Sequence, residues 1–533
     1  MSSGHRMVYL LPHLVEQAAS VSPTRAALRF RDTALSYGDL YRRSSQLANS
    51  LVDDGMQPGD RVGILHPKGL ESAVALYGIM LAGGVYVPLD PFAPAARTEF
   101  VMRDCDIRRL VTATRSSPTL HTLAEAGVKV EALFGPDAED DLPYRSVSWS
   151  EVGRYPGEPP TVPTIEQDLC YILYTSGSTG TPKGIMHTHR SALAWADVSA
   201  AAYNLGPTDV ISNYAPLHFD LSTLDYFGGA RAGATTVIIP EEYTRFAASL
   251  AGLIEDEQLT VFYTVPLALI QLAQPGILAG RDLHHLRLVL FGGEPIPIKH
   301  LRTIMKMIPS AEFVNVYGPT ETNGCTHHRV EEIPAEGADA LPIGVPYPNV
   351  EAIVVDEDAA PLPDGEAGEL LIRAPTMMRG YWGRHDLNDR AFFSRSEYGG
   401  LPDVFHRTGD LVEVLPGGSL RFHGRKDRRI KARGYRVELD EVEAVLMTHD
   451  AVLEASVYAM PDDAGSLEIH AEVILASPGE AAGEELFAHM RAVLPTYAVP
   501  VAIGIRDTFP RTSTGKIDRL AMQAEAARAA AGS

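Results

Sequence analysis

Short apolar runs alternate with longer amphipathic stretches through most of the chain, up to about residue 400 on the periodicity criterion. Arg61–Leu65, Ala234–Ile239, Val261–Tyr263 and Leu286–Leu290 read as strands, because uninterrupted apolar runs suit a sheet covered on both faces. Glu71–Leu81 and Phe246–Glu257 follow two of them with helical spacing. Strand followed by helix, repeated, predicts layered α/β sheets with substantial parallel pairing. From Glu351 the texture changes. Glu351–Val355, Gly368–Arg373 and Ser419–His423 are short strand-like runs divided by turns such as Pro363-Asp364-Gly365, which predicts a β-rich subdomain.

A charged patch, Arg425-Lys426-Asp427-Arg428-Arg429, precedes another pattern. Leu439–Thr448 and Glu484–Val493 are helix-like, while Glu454–Met460 and Ile469–Leu475 are strand-like. This predicts a small α+β domain behind a hinge, with an N-terminal domain over 1–426 and a C-terminal one over 427–533. The alanine-rich end, Met522–Ser533, is expected to fray.

Composition narrows the class. The 533 residues exceed what one hydrophobic core organises, and 45% hydrophobic with 21% charged residues is ordinary for a globular protein. A formal net charge of −22 disfavours nucleic acid and anionic membranes as partners, so a polyanionic ligand needs a local basic site. Cys105, Cys170 and Cys325 lack metal-ligand spacing. Neither a signal-like N-terminus nor a spanning apolar stretch is evident, and a cytoplasmic location is expected.

The densest chemical signal lies between the strand-like Leu169–Leu173 and the helix-like Ser191–Tyr203. There Tyr174-Thr175-Ser176-Gly177-Ser178-Thr179-Gly180-Thr181-Pro182-Lys183-Gly184 combines glycines, hydroxyls and a lysine. Glycines let backbone N–H groups converge on an anion, hydroxyls add donors and the lysine adds a cation. The run fits phosphate binding. It is not a Walker A loop, because Pro182 stands where the second glycine is needed and Gly184 follows the lysine.

Further segments follow in order: Asn315-Val316-Tyr317-Gly318-Pro319-Thr320-Glu321, Arg407-Thr408-Gly409-Asp410-Leu411, Gly424-Arg425-Lys426-Asp427, Lys431–Glu438 and Pro510–Arg519. With Leu81–Pro91, Gly368–Trp382 and Leu494–Pro500, this collinear set resembles adenylate-forming enzymes, specifically nonribosomal-peptide adenylation domains. The resemblance implies that a carboxylate attacks the α-phosphate of ATP, giving an acyl-adenylate and pyrophosphate, with Mg²⁺ as the metal. It further implies that Thr175, Ser176, Gly177, Ser178, Thr179, Gly180 and Lys183 hold the β- and γ-phosphates and that Glu321 ligates Mg²⁺. Tyr317 would stack on adenine and Asp410 accept from the ribose hydroxyls. Gly293, Glu294, Asn315, Gly318, Thr320 and Arg425 would complete the nucleotide site. Lys516 would bridge the substrate carboxylate and the α-phosphate, and Lys183 and Glu321 join it as the catalytic set. Taken singly, Asp410 suits an Asx turn and Glu321 a solvated acid equally well.

In the family the small C-terminal domain is mobile, and its hinge maps to Asp427. Rotation there would exchange Lys516 for the Lys431–Arg436 loop, with Gly434 leaving room for a phosphopantetheine arm. Arg429 and Asp440 depart from the residues usual in relatives.

Phe219-Asp220-Leu221-Ser222 resembles the segment whose aspartate pairs the substrate ammonium in amino-acid-activating members. The other pocket positions would be Leu221, Leu224, Tyr263, Leu290, Gly292, Val316, Gly324 and Cys325, with Lys516 closing the set. Only Asp220 and Lys516 are charged, so charged side chains would be left unpaired. The ordered set is similar to that of free-standing prolyl-activating enzymes of antibiotic and other nonribosomal peptide assembly. L-proline is therefore the expected substrate, passed to a separate peptidyl carrier protein. Gly292 and Gly324 depart from the prolyl pattern and would leave room for a larger substrate such as pipecolate. An acyl- or aryl-CoA ligase is the alternative, disfavoured by Asp220. A catalytically silent binding protein is another, disfavoured by Lys183, Glu321, Asp410 and Lys516.

Overall fold

The alternating runs form strands and helices close to where the pattern puts them. In the computed structural model, Arg61–Leu65 and Glu351–Val355 have the expected bounds, and Leu286–Leu290 shifts to Leu288–Gly292. The structure describes residues 7–113, 116–136, 142–176, 181–338, 340–396, 400–426, 428–432, 434–462, 465–475, 483–511, 517 and 519–531. Gly177, Ser178, Thr179, Gly180, Asp427 and Lys516 therefore lie outside the described residues.

Two compact units emerge. The first comprises Met1–Pro91, Val101–Tyr174 and Gly184–Gly424, and the second Phe92–Phe100, Thr175–Lys183 and Arg425–Ser533.

Within the first unit, one sheet has eight strands. Its core is the parallel series Leu169–Thr175, Val85–Pro88, Arg61–Leu65, Arg109–Thr112, Ala132–Gly135 and Arg145–Ser148. A second, of nine strands, runs Val345–Pro346, Thr326–Val330, Glu312–Tyr317, Leu288–Gly292, Val261–Thr264, Val210–Asn213, Thr235–Ile238, Ala26–Phe30 and Thr33–Ser36. Its five central strands from Glu312–Tyr317 to Thr235–Ile238 are parallel. Helices such as Ala247–Asp256 and Pro266–Leu272 make the crossovers that parallel pairing requires. The predicted β-rich region is an antiparallel five-stranded sheet containing Glu351–Val355, Ala367–Arg373, Phe392–Arg395 and Asp403–Val414.

The central strands of the nine-stranded sheet divide two cores by side-chain alternation. Phe262, Val289, Phe291 and Phe313 face one core, and Tyr263, Leu288, Leu290, Val314 and Val316 face the other. The second of these is the face on which sequence places the substrate pocket.

The helix His189–Ala202 begins on a buried histidine. His189 Nδ1 accepts the Leu11 N–H at 3.2 Å, and Nε2 is buried without a hydrogen-bond partner. Burial, then the charge of His13, lowers its pKa to about 3. The unfolded histidine titrates near 6.5, so below that pH the unfolded chain binds a proton that the folded chain refuses. Stability is therefore lost as pH falls from about 6.5 towards 3, at roughly 1.4 kcal/mol per unit. His187, lowered to about 4 chiefly by burial, acts in the same direction. His189→Gln retains an acceptor for Leu11, and urea midpoints at pH 7 and pH 5 should differ by about 2 kcal/mol less than in the parent.

The second unit contains an antiparallel hairpin, Arg429–Ala432 with Tyr435–Glu438, and a three-stranded sheet of Val452–Pro461, Leu467–Leu475 and Ala502–Ile505. Leu439–Met447 and Gly483–Val493 pack on it through Val442, Leu446, Leu486 and Met490. This is the expected α+β texture. The tail corrects an expectation: Arg519–Ala531 is helical rather than frayed. Alanine is the best helix former, and one apolar residue, Met522, is fully buried against Tyr458 and Phe509. Met522→Ala should cost about 2–4 kcal/mol, read as a lower denaturant midpoint, through the cavity it leaves.

Among the described residues no helix is long and apolar enough to cross a membrane.

Candidate active site

The pocket positions converge at the carboxyl ends of parallel strands. Tyr263 sits opposite Leu290, and Gly292 opposite Val316, in adjacent registers. Open α/β sheets bind ligands at this end, where loops leave the strands. Leu221, Leu224, Tyr263, Leu290 and Val316 belong to one apolar cluster, whereas the fully buried Cys325 belongs to another, with Ile343, Val354 and Leu370.

Asp220 lies in the turn that leads into this cluster. Its carbonyl accepts the Thr223 N–H at 3.0 Å and the Thr223 hydroxyl at 2.6 Å. The helical stretch begins at Ser222, just beyond Asp220 and Leu221, and continues into the π segment. Tyr263 senses its carboxylate: burial first, and then the Asp220 charge, raise the phenol pKa well above its ordinary value. The turn runs into a π-helix, Leu224–Gly228, a rare geometry that recurs at functional sites.

Beneath the turn is a buried polar network that the sequence reading does not include. Lys68 Nζ donates to the Tyr214 carbonyl at 2.6 Å and the Asn213 carbonyl at 3.4 Å. Asn213 Nδ2 donates to Asp225 Oδ2 at 3.0 Å, and the Tyr226 hydroxyl donates to Asn213 Oδ1 at 3.1 Å. Burial pushes the Asp225 carboxyl well above the usual carboxylate range and lowers Lys68 to about 8. Both shifts favour the uncharged forms.

The nucleotide candidates in this unit gather around the loop after Glu312–Tyr317. The Tyr317 hydroxyl donates to Asp410 Oδ2, and the Asp410 N–H donates to Thr408 Oγ1 at 3.0 Å. Asn315 Nδ2 donates to the Pro342 carbonyl at 3.0 Å. Gly293 has φ +100°, a conformation suited to glycine, and Glu294 beside it is buried. Glu321 is buried; its Oε1 accepts from the Tyr381 hydroxyl at 2.7 Å, and its carbonyl accepts the Met378 N–H at 2.7 Å. The buried His187 reaches the carbonyl of Thr320, with Nε2 at 3.0 Å, and stacks on Tyr171.

Gly318 is where the chain doubles back: Cys325 N–H donates to the Tyr317 carbonyl at 2.8 Å. A Cβ on Gly318 would lie 1.7 Å from the Asn323 carbonyl oxygen. Asn323 itself has φ +54°, which asparagine tolerates better than most residues.

One expectation about the pocket is corrected. Gly292 and Gly324 do not leave space. A Cβ at 292 would meet the Val316 carbonyl oxygen at 2.3 Å, and one at 324 would meet the Trp195 ring at 2.3 Å. These glycines permit close packing instead of enlarging the site. Trp195 and Tyr381 receive no role from sequence, although Tyr381 lies inside the Gly368–Trp382 motif. The sequence hint for Trp195 is the glycine it packs against, which lies far away along the chain.

The described part of the phosphate-loop candidate belongs to the second unit. Ser176 Oγ donates to the Arg436 carbonyl at 2.9 Å and accepts the Glu438 N–H at 3.1 Å. Glu438, almost fully buried, pairs with Arg429 at 2.6 Å and lies 3.9 Å from Lys183 Nζ. Thr175 Oγ1 is buried with no hydrogen-bond partner. Arg425 is half-buried at the end of the strand Leu420–Arg425.

Residues 15–382 match the AMP-binding enzyme model, and residues 441–516 match the AMP-binding enzyme C-terminal domain. An L-proline–[L-prolyl-carrier protein] ligase of Pseudomonas fluorescens is 32% identical over 94% of this chain and 96% of its own. A ligase of the same name from Streptomyces coelicolor is 34% identical over 91% of each chain. A linear gramicidin synthase of Brevibacillus parabrevis is 33% identical over 95% of this chain, which spans only 9% of that protein's length. Among solved structures, the amide bond synthetase McbA of Marinactinospora thermotolerans superposes with a TM-score of 0.85 at 25% identity, covering 97% of this chain and 99% of its own. The chain belongs to the AMP-binding, adenylate-forming enzyme family.

Proposed function

We propose that the protein activates an amino acid, L-proline, as its adenylate and passes it to the phosphopantetheine thiol of a separate carrier protein. The observation that carries this reading is Asp220: an acid in the turn that leads into an apolar cluster, near enough to Tyr263 for its charge to add to burial in raising the phenol pKa. A buried ammonium needs such a partner, and a carboxylic acid without an amine does not. The two curated prolyl-carrier ligases support proline within that class.

In the first step a substrate carboxylate oxygen forms a bond to the α-phosphorus of ATP, and the bond to the bridging oxygen breaks to release pyrophosphate. Positioning and charge neutralisation supply most of the catalysis. Lys516 bridges carboxylate and α-phosphate, while Lys183 and the Thr175–Gly180 loop take the leaving group. Tyr317 and Asp410, already joined by a hydrogen bond, offer the base and ribose a pre-set seat. Gly293, Glu294, Asn315, Gly318, Thr320 and Arg425 surround the nucleotide. In the second step the thiolate sulfur attacks the acyl carbon and expels AMP, with Asp427 as the pivot between the two states.

Glu321 fits Mg²⁺. Among the described residues no three His, Cys, Asp or Glu side chains cluster as a metal cage, whereas magnesium is commonly held by one carboxylate with phosphate and water oxygens. When bound, the ion neutralises charge on the phosphates.

ATP–pyrophosphate exchange across proline, pipecolate, valine, alanine and benzoate tests the proposal. Exchange should be fastest with proline. Exchange supported by benzoate and not by any amino acid would replace this reading with an aryl-CoA ligase.

A further inference from the structure

We infer that Trp195 is a specificity-determining residue that builds the pocket wall Gly324 leaves out. This rests on the amino-acid-activating reading above. Trp195 projects from the helix His189–Ala202 and is only 3% exposed. It packs in the same cluster as Leu224, Tyr263, Leu290 and Val316, the positions to which substrate choice is assigned. A Cβ at Gly324 would sit 2.3 Å from Cη2 and 2.5 Å from Cζ3 of its ring, so indole and side chain cannot both occupy that space.

The ring is not free to swing aside. Tyr347 meets it edge-on with ring centroids 5.7 Å apart, and His327 stacks on Tyr347 at 4.4 Å. The hydroxyls of Tyr347 and Tyr203 hydrogen-bond to one another, which ties this aromatic group to the end of the helix that carries Trp195. An indole held this way is a flat, rigid, apolar wall. It suits a compact aliphatic side chain and excludes long ones, because cores yield little to added volume.

The identity at 324 and at 195 is therefore a single choice. Large at 195 requires glycine at 324, and a smaller residue at 195 permits a side chain at 324.

The test measures ATP–pyrophosphate exchange with proline, pipecolate, leucine and phenylalanine for the parent, Trp195→Ala, Trp195→Phe, Gly324→Val and the double variant W195A/G324V. In Trp195→Ala, KM for proline should rise tenfold or more, and kcat/KM for leucine or phenylalanine should rise tenfold, with KM for ATP unchanged. Gly324→Val should lose at least tenfold with every amino acid, and W195A/G324V should recover most of that loss. An unchanged ranking of amino acids in Trp195→Ala, or no recovery in the double variant, overturns the inference. Thermal melts identify any variant that does not fold; if Trp195→Ala is one, Trp195→Phe decides, a partial shift towards larger substrates supporting the inference and an unchanged ranking refuting it. A parent inactive with every amino acid removes the underlying reading and this inference together. An active parent with unaltered variant ranking removes this inference alone.

Discussion

Asp220→Asn is expected to lower kcat/KM for the amino acid by about 150- to 5,000-fold, while KM for ATP stays within a few-fold of the parent. The size follows from the cost of leaving one partner of a buried charge pair unmatched, about 3–5 kcal/mol. The isosteric amide preserves volume and leaves the carbonyl of residue 220 in place for the Thr223 N–H and hydroxyl, so the turn persists. The charge is removed, and one acceptor oxygen becomes an NH2 donor. Initial rates of exchange with amino acid and ATP varied separately measure both constants. Unchanged amino-acid kinetics would show that the carboxylate does not meet the substrate ammonium, and a parallel loss in ATP affinity would point to a collapsed turn instead.

Gly318→Ala is expected to abolish activity at a smaller chemical change, a single methyl. Its Cβ would fall 1.7 Å from the Asn323 carbonyl oxygen, 2.7 Å from the Asn323 carbonyl carbon and 2.9 Å from the Gly324 Cα. All three are backbone atoms, so no rotamer change relieves the clash. The turn must open, breaking the 2.8 Å hydrogen bond from Cys325 N–H to the Tyr317 carbonyl and displacing Thr320 and Glu321 with it. A destabilisation of about 3 kcal/mol or more is expected, at the upper end of overpacking effects. Exchange should fall by at least 100-fold, with nucleotide affinity, followed by calorimetry, weakened too. Retained nucleotide affinity with a normal melt would show that the loop yields more readily than its contacts indicate.

The layered fold was legible because it is written in local periodicity. Arg61–Leu65 and Glu351–Val355 are apolar runs bounded by polar or turn residues, and their limits in the structure match the pattern. The gathering of Tyr317 and Asp410 was implied only by resemblance, since each residue alone suits a bland role; their hydrogen bond is a long-range fact. Trp195 was hidden for a different reason. A glycine in a sequence announces a missing side chain and is silent about whether empty space or a neighbour takes its place. The same holds for Lys68, Asn213 and Asp225, polar residues far apart along the chain whose partnership needs the fold. The alanine-rich tail misled because composition favours both fraying and helix, and one buried methionine decides between them.

The π-turn at Leu224–Gly228 has a consequence for how this pocket diversifies. It holds one residue more per turn than an α-helix, directly after Asp220 and Leu221 and at Leu224. Loss of one residue here would be absorbed as an ordinary α-turn, with no break in the helix. A π-turn takes about one residue more than an α-turn to complete a revolution, so removing that residue leaves the segments on either side facing as before. A residue can thus be gained or lost at this point without re-aiming the side chains around it, so relatives differing in length by one residue here can keep the same pocket lining.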